Sequence, residues 1–357
     1  MSDTVESVGK VVGGTGPGGG NGRGNGARQL LVSSFGVFAR QREATVLVVT
    51  VALLLYFAVS DASSFVSQVN AVDLLSEIMA PIAIIAIGEV LLLICGEIDI
   101  SVGFIYTFAP IVMYVAITDY HVPSVLAVLL GLLTGVAAGW VNGFIVVTLR
   151  VPSFIATIGT GFALDGLALT IMHAEPEGIP PPSVSAGKWL GIPGNPWQWA
   201  PLVWAVVLVI VFHVVLTRTR WGLYTISAGS NLLGAREAGI NVGRIKYGNF
   251  MICGFMGALV GVQTAFYTNN VDPSAGGYLP MFYAVIAAVI GGTAMLGGSG
   301  TILGAFLGAV VLATLTDGFD IIGISANPLP IIFGGAILVA MVANVQLARL
   351  RQAGRTL

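Results

Sequence analysis

Along most of the chain, apolar residues come in long runs parted by short stretches of glycine, proline and charge. A hydrocarbon core about 30 Å thick takes about 20 apolar residues of helix. That ruler predicts spans at 44–60, 72–94, 102–118, 123–149 and 153–172, and, after a proline-rich loop, at 200–216, 248–268, 280–296, 301–317 and 327–346. Only Gly297–Gly300 parts the eighth from the ninth. The expected architecture is an all-α integral membrane protein of about ten spans.

Ahead of the first run stands a tail of different character. Gly13 to Gly26 reads GGTGPGGGNGRGNG, low-complexity sequence that cannot bury apolar surface. The first apolar run begins near Ala44 and no small-residue cleavage site follows it, so the tail is expected to stay attached and disordered. The predicted organisation is a Gly-rich tail (1–43), a transmembrane domain (44–346) and a basic C-terminal tail (347–357). Within the transmembrane domain, 173–199 forms an outer loop and 217–247 a cytoplasmic one.

Composition agrees with this pattern. The 357 residues are 56% hydrophobic and 9% charged, where a soluble domain carries about 25% charged residues. The net charge is −2 and no basic stripe is present to neutralise a phosphate backbone, which excludes nucleic acid as a partner. Cys95 and Cys253 lie in apolar surroundings and form no Cys-x-x-Cys pair, so they read as buried, inert thiols.

Charge also orients the chain. With the N-terminus in the cytoplasm and ten alternating spans, 14 of the 15 basic residues fall inside and only Lys188 outside. Both termini are then cytoplasmic. The outer loop carries Trp189, Trp197 and Trp199 just before the sixth span, as an aromatic belt at the membrane interface would.

Within the spans, Gly131, Gly135 and Gly139 recur at four-residue spacing, as do Gly300, Gly304 and Gly308. Such spacing lines small residues along one helical face, where backbones can approach. The two stripes sit five spans apart and so run in opposite directions, a hint of an inverted repeat. Glu89 and Asp165 lie inside predicted spans, with Glu97 and Asp99 where the second span ends. A charge at mid-membrane costs about 2.5–3.5 kcal/mol on the insertion scale, so it faces a cavity or a partner. No Lys or Arg falls within a predicted span to pair with them. They either line a polar path or make structural hydrogen bonds.

No phosphate-binding loop, nucleophile elbow or metal-ligating helix is present, and His121, His173 and His213 stand alone. Enzymatic activity, a resident cofactor and a metal site are therefore not expected.

Four stretches stand out in order. The first is Gly96-Glu97-Ile98-Asp99-Ile100-Ser101-Val102-Gly103, and the second runs from Asn142-Gly143 through Arg150-Val151-Pro152-Ser153-Phe154-Ile155-Ala156-Thr157-Ile158-Gly159-Thr160. The third holds Gly222-Leu223-Tyr224, Gly229-Ser230-Asn231 and Ala235-Arg236-Glu237-Ala238-Gly239-Ile240-Asn241-Val242. The fourth is Gly291-Gly292-Thr293-Ala294-Met295-Leu296-Gly297-Gly298-Ser299-Gly300-Thr301. Together they resemble the permease subunits of bacterial sugar importers of the ATP-binding-cassette type, the ribose/xylose/galactoside branch. Glu97 replaces that family's second glycine, Ser299 stands where it usually has Arg, and Asp165 replaces a residue often basic there.

The resemblance implies a multi-pass subunit of the bacterial cytoplasmic (inner) membrane that works as a homodimer by alternating access. A separate ATPase chain would bind ATP and Mg, and a periplasmic or extracellular binding protein would deliver a sugar or polyol. It also implies a short coupling helix in the cytoplasmic loop, involving Gly229, Asn231, Ala235, Arg236, Glu237, Gly239 and Ile240. Glu89, Asp99, Asn142, Phe154 and Thr157 are candidates for the substrate pathway. The residues alone leave open an ion-gradient-coupled transporter using Glu89, Asp99 or Asp165 as a proton relay.

Overall fold

The computed structural model describes residues 42–184, 187–194 and 196–323, with positions 331, 332, 334, 335, 338 and 342 beyond them. The two tails, 1–41 and 347–357, and most of the predicted tenth span lie outside the described residues.

The described chain is built from helices. They are α1 (Arg42–Ser60), α2 (Ala80–Ile94), α3 (Val102–Thr118), α4 (Ser124–Gly143), α5 (Ser153–Ile171) and α6 (Ala200–Arg218). Then come α7 (Arg220–Ser230), α8 (Leu232–Glu237), α9 (Val242–Thr268), α10 (Tyr278–Ile290) and α11 (Ile302–Ile321). Among the described residues seven helical stretches are long and apolar enough to cross a membrane: Glu43–Ser60, Gln68–Ile94, Ser124–Thr148, Ser153–Ile171, Trp197–Arg218, Val242–Thr268 and Ile302–Ile321. Helices α3 and α10, of 17 and 13 residues, are apolar but shorter. Two strands of two residues, β1 (Glu177–Gly178) and β2 (Asn270–Val271), pair antiparallel and tie the loop after α5 to the end of α9.

Helix α2 is apolar on every side, the pattern of a helix enclosed by others. Each of its residues from Ile82 to Ile94 is buried. Helix α9 lies against it so closely that a Cβ on Gly88 would stand 2.6 Å from Cys253 Cα. On the other side of α9 lies α4, where Cβ atoms at Gly135 and Gly139 would fall 2.3 Å from Gly254 O and 2.2 Å from Phe250 O. Gly308 is similarly placed, 2.1 Å from Ala287 O, where α11 meets α10. Gly300 stands outside this helical series, two residues before α11, against Thr293. Outward faces of α1, α4 and α6 carry exposed Leu55, Val59, Leu133 and Ile210, as a hydrocarbon-facing surface does.

Two boundaries depart from the hydropathy reading, each for a local reason. Helix α9 starts at Val242 rather than 248 because the Asn241 side chain accepts from the Arg244 N–H at 3.0 Å and caps it. Lys246 therefore lies in a helix, where it pairs with Glu97, so an ion pair does reach one of the acids at the end of the second span. Helix α10 stops at Ile290, short of 296, because Gly292 takes φ +89° and lets Thr293 N–H reach back to Ala288 O at 2.9 Å. The segment 217–247 is largely helical, holding α7, α8 and the first turn of α9.

Candidate functional site

Helix α2 ends in a glycine-terminated turn. Gly96 adopts φ +76°, and Glu97 N–H returns to Leu92 O at 2.9 Å. From there to Ser101 the backbone is irregular and buried at Asp99, Ile100 and Ser101, so its polar groups need partners from other elements. They find them on α4 and α5. Ile98 N–H donates to Ser153 Oγ at 3.4 Å and Ile100 N–H to Thr157 Oγ1 at 3.0 Å. Asp99 Oδ1 accepts from Ser101 N–H at 2.9 Å and from Ser101 Oγ at 2.6 Å. Asn142 Nδ2 lies 3.2 Å from each Asp99 oxygen and 2.7 Å from Ser101 Oγ, while its carbonyl accepts from Thr160 at 2.6 Å. Asp99, Ser101, Asn142 and Thr157 are fully buried. The arrangement is a buried polar latch that holds the start of α3 against α4 and α5.

The opposite end of the same segment is held mainly by close backbone approach, with one side-chain bond from Ser230. Gly298 N–H donates to Ile94 O at 2.8 Å, and Ser230 Oγ donates to Gly298 O at 3.2 Å. A Cβ at Gly229 would stand 1.7 Å from Ile94 O and 2.8 Å from Gly298 N, a space no side chain can enter. One at Gly297, whose φ is +89°, would lie 3.2 Å from both Gly229 O and Ile94 O. The last residues of α2, the end of α7 and the turn before α11 thus meet backbone to backbone.

Helix α8 hangs from this junction. Asn231 caps it, accepting from Gly234 N–H at 2.9 Å, and Gly239 at φ +80° closes it with Ile240 N–H to Ala235 O at 3.0 Å. Ala235 is buried with Cys95, Ala228, Val242 and Ile245, and Ile240 packs on that cluster. Arg236 and Glu237 are exposed, as are Leu232 and Leu233, the latter at 70%. The sequence marks Leu233 only as part of a helix-compatible stretch, and the exposure of both leucines is what the structure adds.

The other predicted residues are scattered. Glu89 is fully buried in α2, with Oε1 3.7 Å from the Cys253 thiol, and it lies close enough to interact with the Asp99 backbone. Phe154 is 57% exposed at the start of α5, away from the latch. Asp165 is half-buried on α5 and makes no hydrogen bond among the described residues. Sequence reasoning also missed a cavity of about 300 Å³ among α2, α3, α9, α10 and α11, lined by Glu77, Tyr106, Tyr283, Thr316 and apolar neighbours. Glu77 there accepts from Tyr267 Oη at 2.5 Å. Among the described residues no cluster of His, Cys, Asp and Glu could hold a metal ion.

A family model described as "Branched-chain amino acid transport system / permease component" matches residues 71–342. A xylose/arabinose import permease protein of Sulfolobus acidocaldarius is 35% identical over 311 residues, covering 85% of each chain. An autoinducer 2 import system permease protein of Photorhabdus luminescens is 30% identical over 311 residues, 86% of this chain and 90% of that one. The ribose import permease protein of Escherichia coli is 32% identical over 265 residues, 73% and 81% of the two chains. No solved structure matches.

Proposed function

The chain belongs to the family of branched-chain amino acid transport system permease components, and from that premise we propose that it is the membrane subunit of an ATP-driven importer of a sugar or polyol. The observation that carries this reading is the meeting of all four family-like stretches on one segment, Ile94–Ser101. The first is the segment itself; the second supplies Asn142, Ser153 and Thr157; the third supplies Gly229 and Ser230; the fourth supplies Gly297 and Gly298. Helix α8 projects from that meeting point with Leu233 exposed, as a docking element for a separate ATPase. A push on α8 passes through Gly229 to the end of α2, and through Gly96–Ser101 to α3, without a flexible link between.

In this reading the chain makes ten spans with both termini cytoplasmic. Arg150, Arg218, Arg220, Arg236, Arg244 and Lys246 then all face the cytoplasm, with Lys188 outside. Two copies form the transport unit, and an external binding protein delivers the cargo; the sugar-import names of relatives support a sugar cargo. Gly229, Asn231, Ala235, Gly239 and Ile240 shape and seat the coupling helix, while Arg236 and Glu237 present charge beside its docking face. Asp99, Asn142 and Thr157 serve the pathway by fixing where α3 begins. The 300 Å³ cavity has room for a monosaccharide and carries carboxylate, phenol and hydroxyl groups that suit one. The opposed glycine stripes on α4 and α11 support an inverted repeat. A proton relay through Glu89, Asp99 and Asp165 draws less support, since among the described residues Asp165 makes no hydrogen bond to either of the other two.

The test is uptake of labelled pentose into proteoliposomes holding this chain, its ATPase and the binding protein. Uptake should require ATP hydrolysis and survive collapse of the proton and sodium gradients. Uptake that persists without ATP and stops with the gradient would overturn the reading.

A further inference from the structure

Two cavities meet where α4 ends and α9 begins. One, about 340 Å³, is lined by three cations, Arg150, Arg236 and Lys246, with Val146 and Val147. The other, about 700 Å³, is walled by Trp140, Val147, Trp221, Tyr247 and Met251, with Arg244 also in its lining. Val147 and Gly243 line both, so a cationic cup opens into an aromatic and apolar groove.

Neither Arg150 nor Arg236 has an ion pair or a side-chain hydrogen bond among the described residues. Lys246 is paired with Glu97, which leaves three cations facing a single carboxylate. Arg150 follows a wide π-helical turn at Phe144–Thr148 and stands in the left-handed region at φ +61°. Trp140 and Phe144 stack at 5.9 Å and are 51% and 38% exposed on the outward face of the same span, which sets the groove at the depth of a membrane interface. A soluble anion would fill the cup and leave the groove empty. A molecule with an anionic head and an apolar chain fills both, and basic pockets between spans at this depth take such heads.

We propose that this paired cavity holds one anionic phospholipid of the adjoining leaflet, its headgroup phosphate among Arg150, Arg236 and Lys246 and an acyl chain along Trp140 and Tyr247. In the orientation proposed above, that leaflet is the cytoplasmic one. The three cations sit on different parts of the coupling path: Arg150 after α4, Arg236 on α8 and Lys246 on α9, bonded to Glu97 beside the latch. The lipid therefore stiffens the link between the docking helix and the spans, and anionic lipid raises ATP-driven uptake.

Native mass spectrometry of the full-length chain, released from phosphatidylcholine nanodiscs with and without phosphatidylglycerol, reads this directly and does not depend on the cargo or the leaflet. The native protein should retain phosphatidylglycerol in preference to phosphatidylcholine. Arg150→Gln with Arg236→Gln should weaken that retention about thirtyfold, the factor for two basic residues at a charged surface. The charge-conserving pair Arg150→Lys and Arg236→Lys should keep most of it, which separates loss of charge from loss of fold. Arg218→Gln, outside both cavities, should change nothing. Equal retention of the two lipids, equal loss in Arg218→Gln, displacement by inorganic phosphate, or displacement by the ATPase alone would each overturn the proposal.

Discussion

The irregular segment after α2 is anchored at both ends, and the two anchors are made from opposite materials. At Asp99 the anchor is side-chain chemistry: a carboxylate, an amide and the hydroxyls of Ser101 and Thr160, bonded to one another. At Ile94 the anchor is mainly missing side chains, with Gly229, Gly297 and Gly298 letting three backbones touch and Ser230 adding one bond. The first is specific because buried polar groups are costly to leave unpaired. The second is specific because an added methyl has nowhere to go. A latch of hydrogen bonds holds a position, whereas a backbone contact passes a displacement on with little slack.

The contrast can be broken at either anchor. The largest effect is expected from Gly229→Ala, whose Cβ would fall 1.7 Å from Ile94 O. It should destabilise the chain by about 3 kcal/mol, as overpacking does at its upper range, and abolish ATP-driven uptake; thermal unfolding in detergent and proteoliposome uptake measure the two. Asn142→Leu removes the donor to both Asp99 oxygens and should cost about 2–3 kcal/mol, the range for a hydrogen bond to a charged group. A double-mutant cycle with Asp99→Leu should return a coupling of about 1–3 kcal/mol, and independent effects would mean that no latch exists.

Lys246→Met leaves Glu97 without its partner at a site where the two side chains are 18% and 12% exposed. The expected loss of about 2 kcal/mol lies between surface and buried limits, and Glu97→Gln in the same chain should recover most of it. The smallest stability effect belongs to Leu233→Glu, within about 0.5 kcal/mol for so exposed a position. Its consequence should appear instead as loss of ATPase binding in pull-down with the purified partner. A strong fall in stability with binding intact would show that Leu233 packs within the chain rather than docking.

Much of this architecture was legible because its causes are local. A run of about 20 apolar residues needs no distant partner to demand a membrane, and nine of the predicted runs coincide with helices. The ends of α8 could be read in the same way, since Asn231 and Gly239 act on residues within one turn. Boundaries were misread where hydropathy outweighed a cap, as at Asn241 and Gly292. What only the tertiary structure decided are contacts between residues far apart in the chain. Glu97 meets Lys246 across 149 positions and Asn142 meets Asp99 across 43. Gly229 owes its identity to Ile94 O, which nothing in its own neighbourhood reveals. Helix and span follow from short-range energetics, while the pairing of a buried charge or the need for a missing Cβ depends on which surfaces fold against each other.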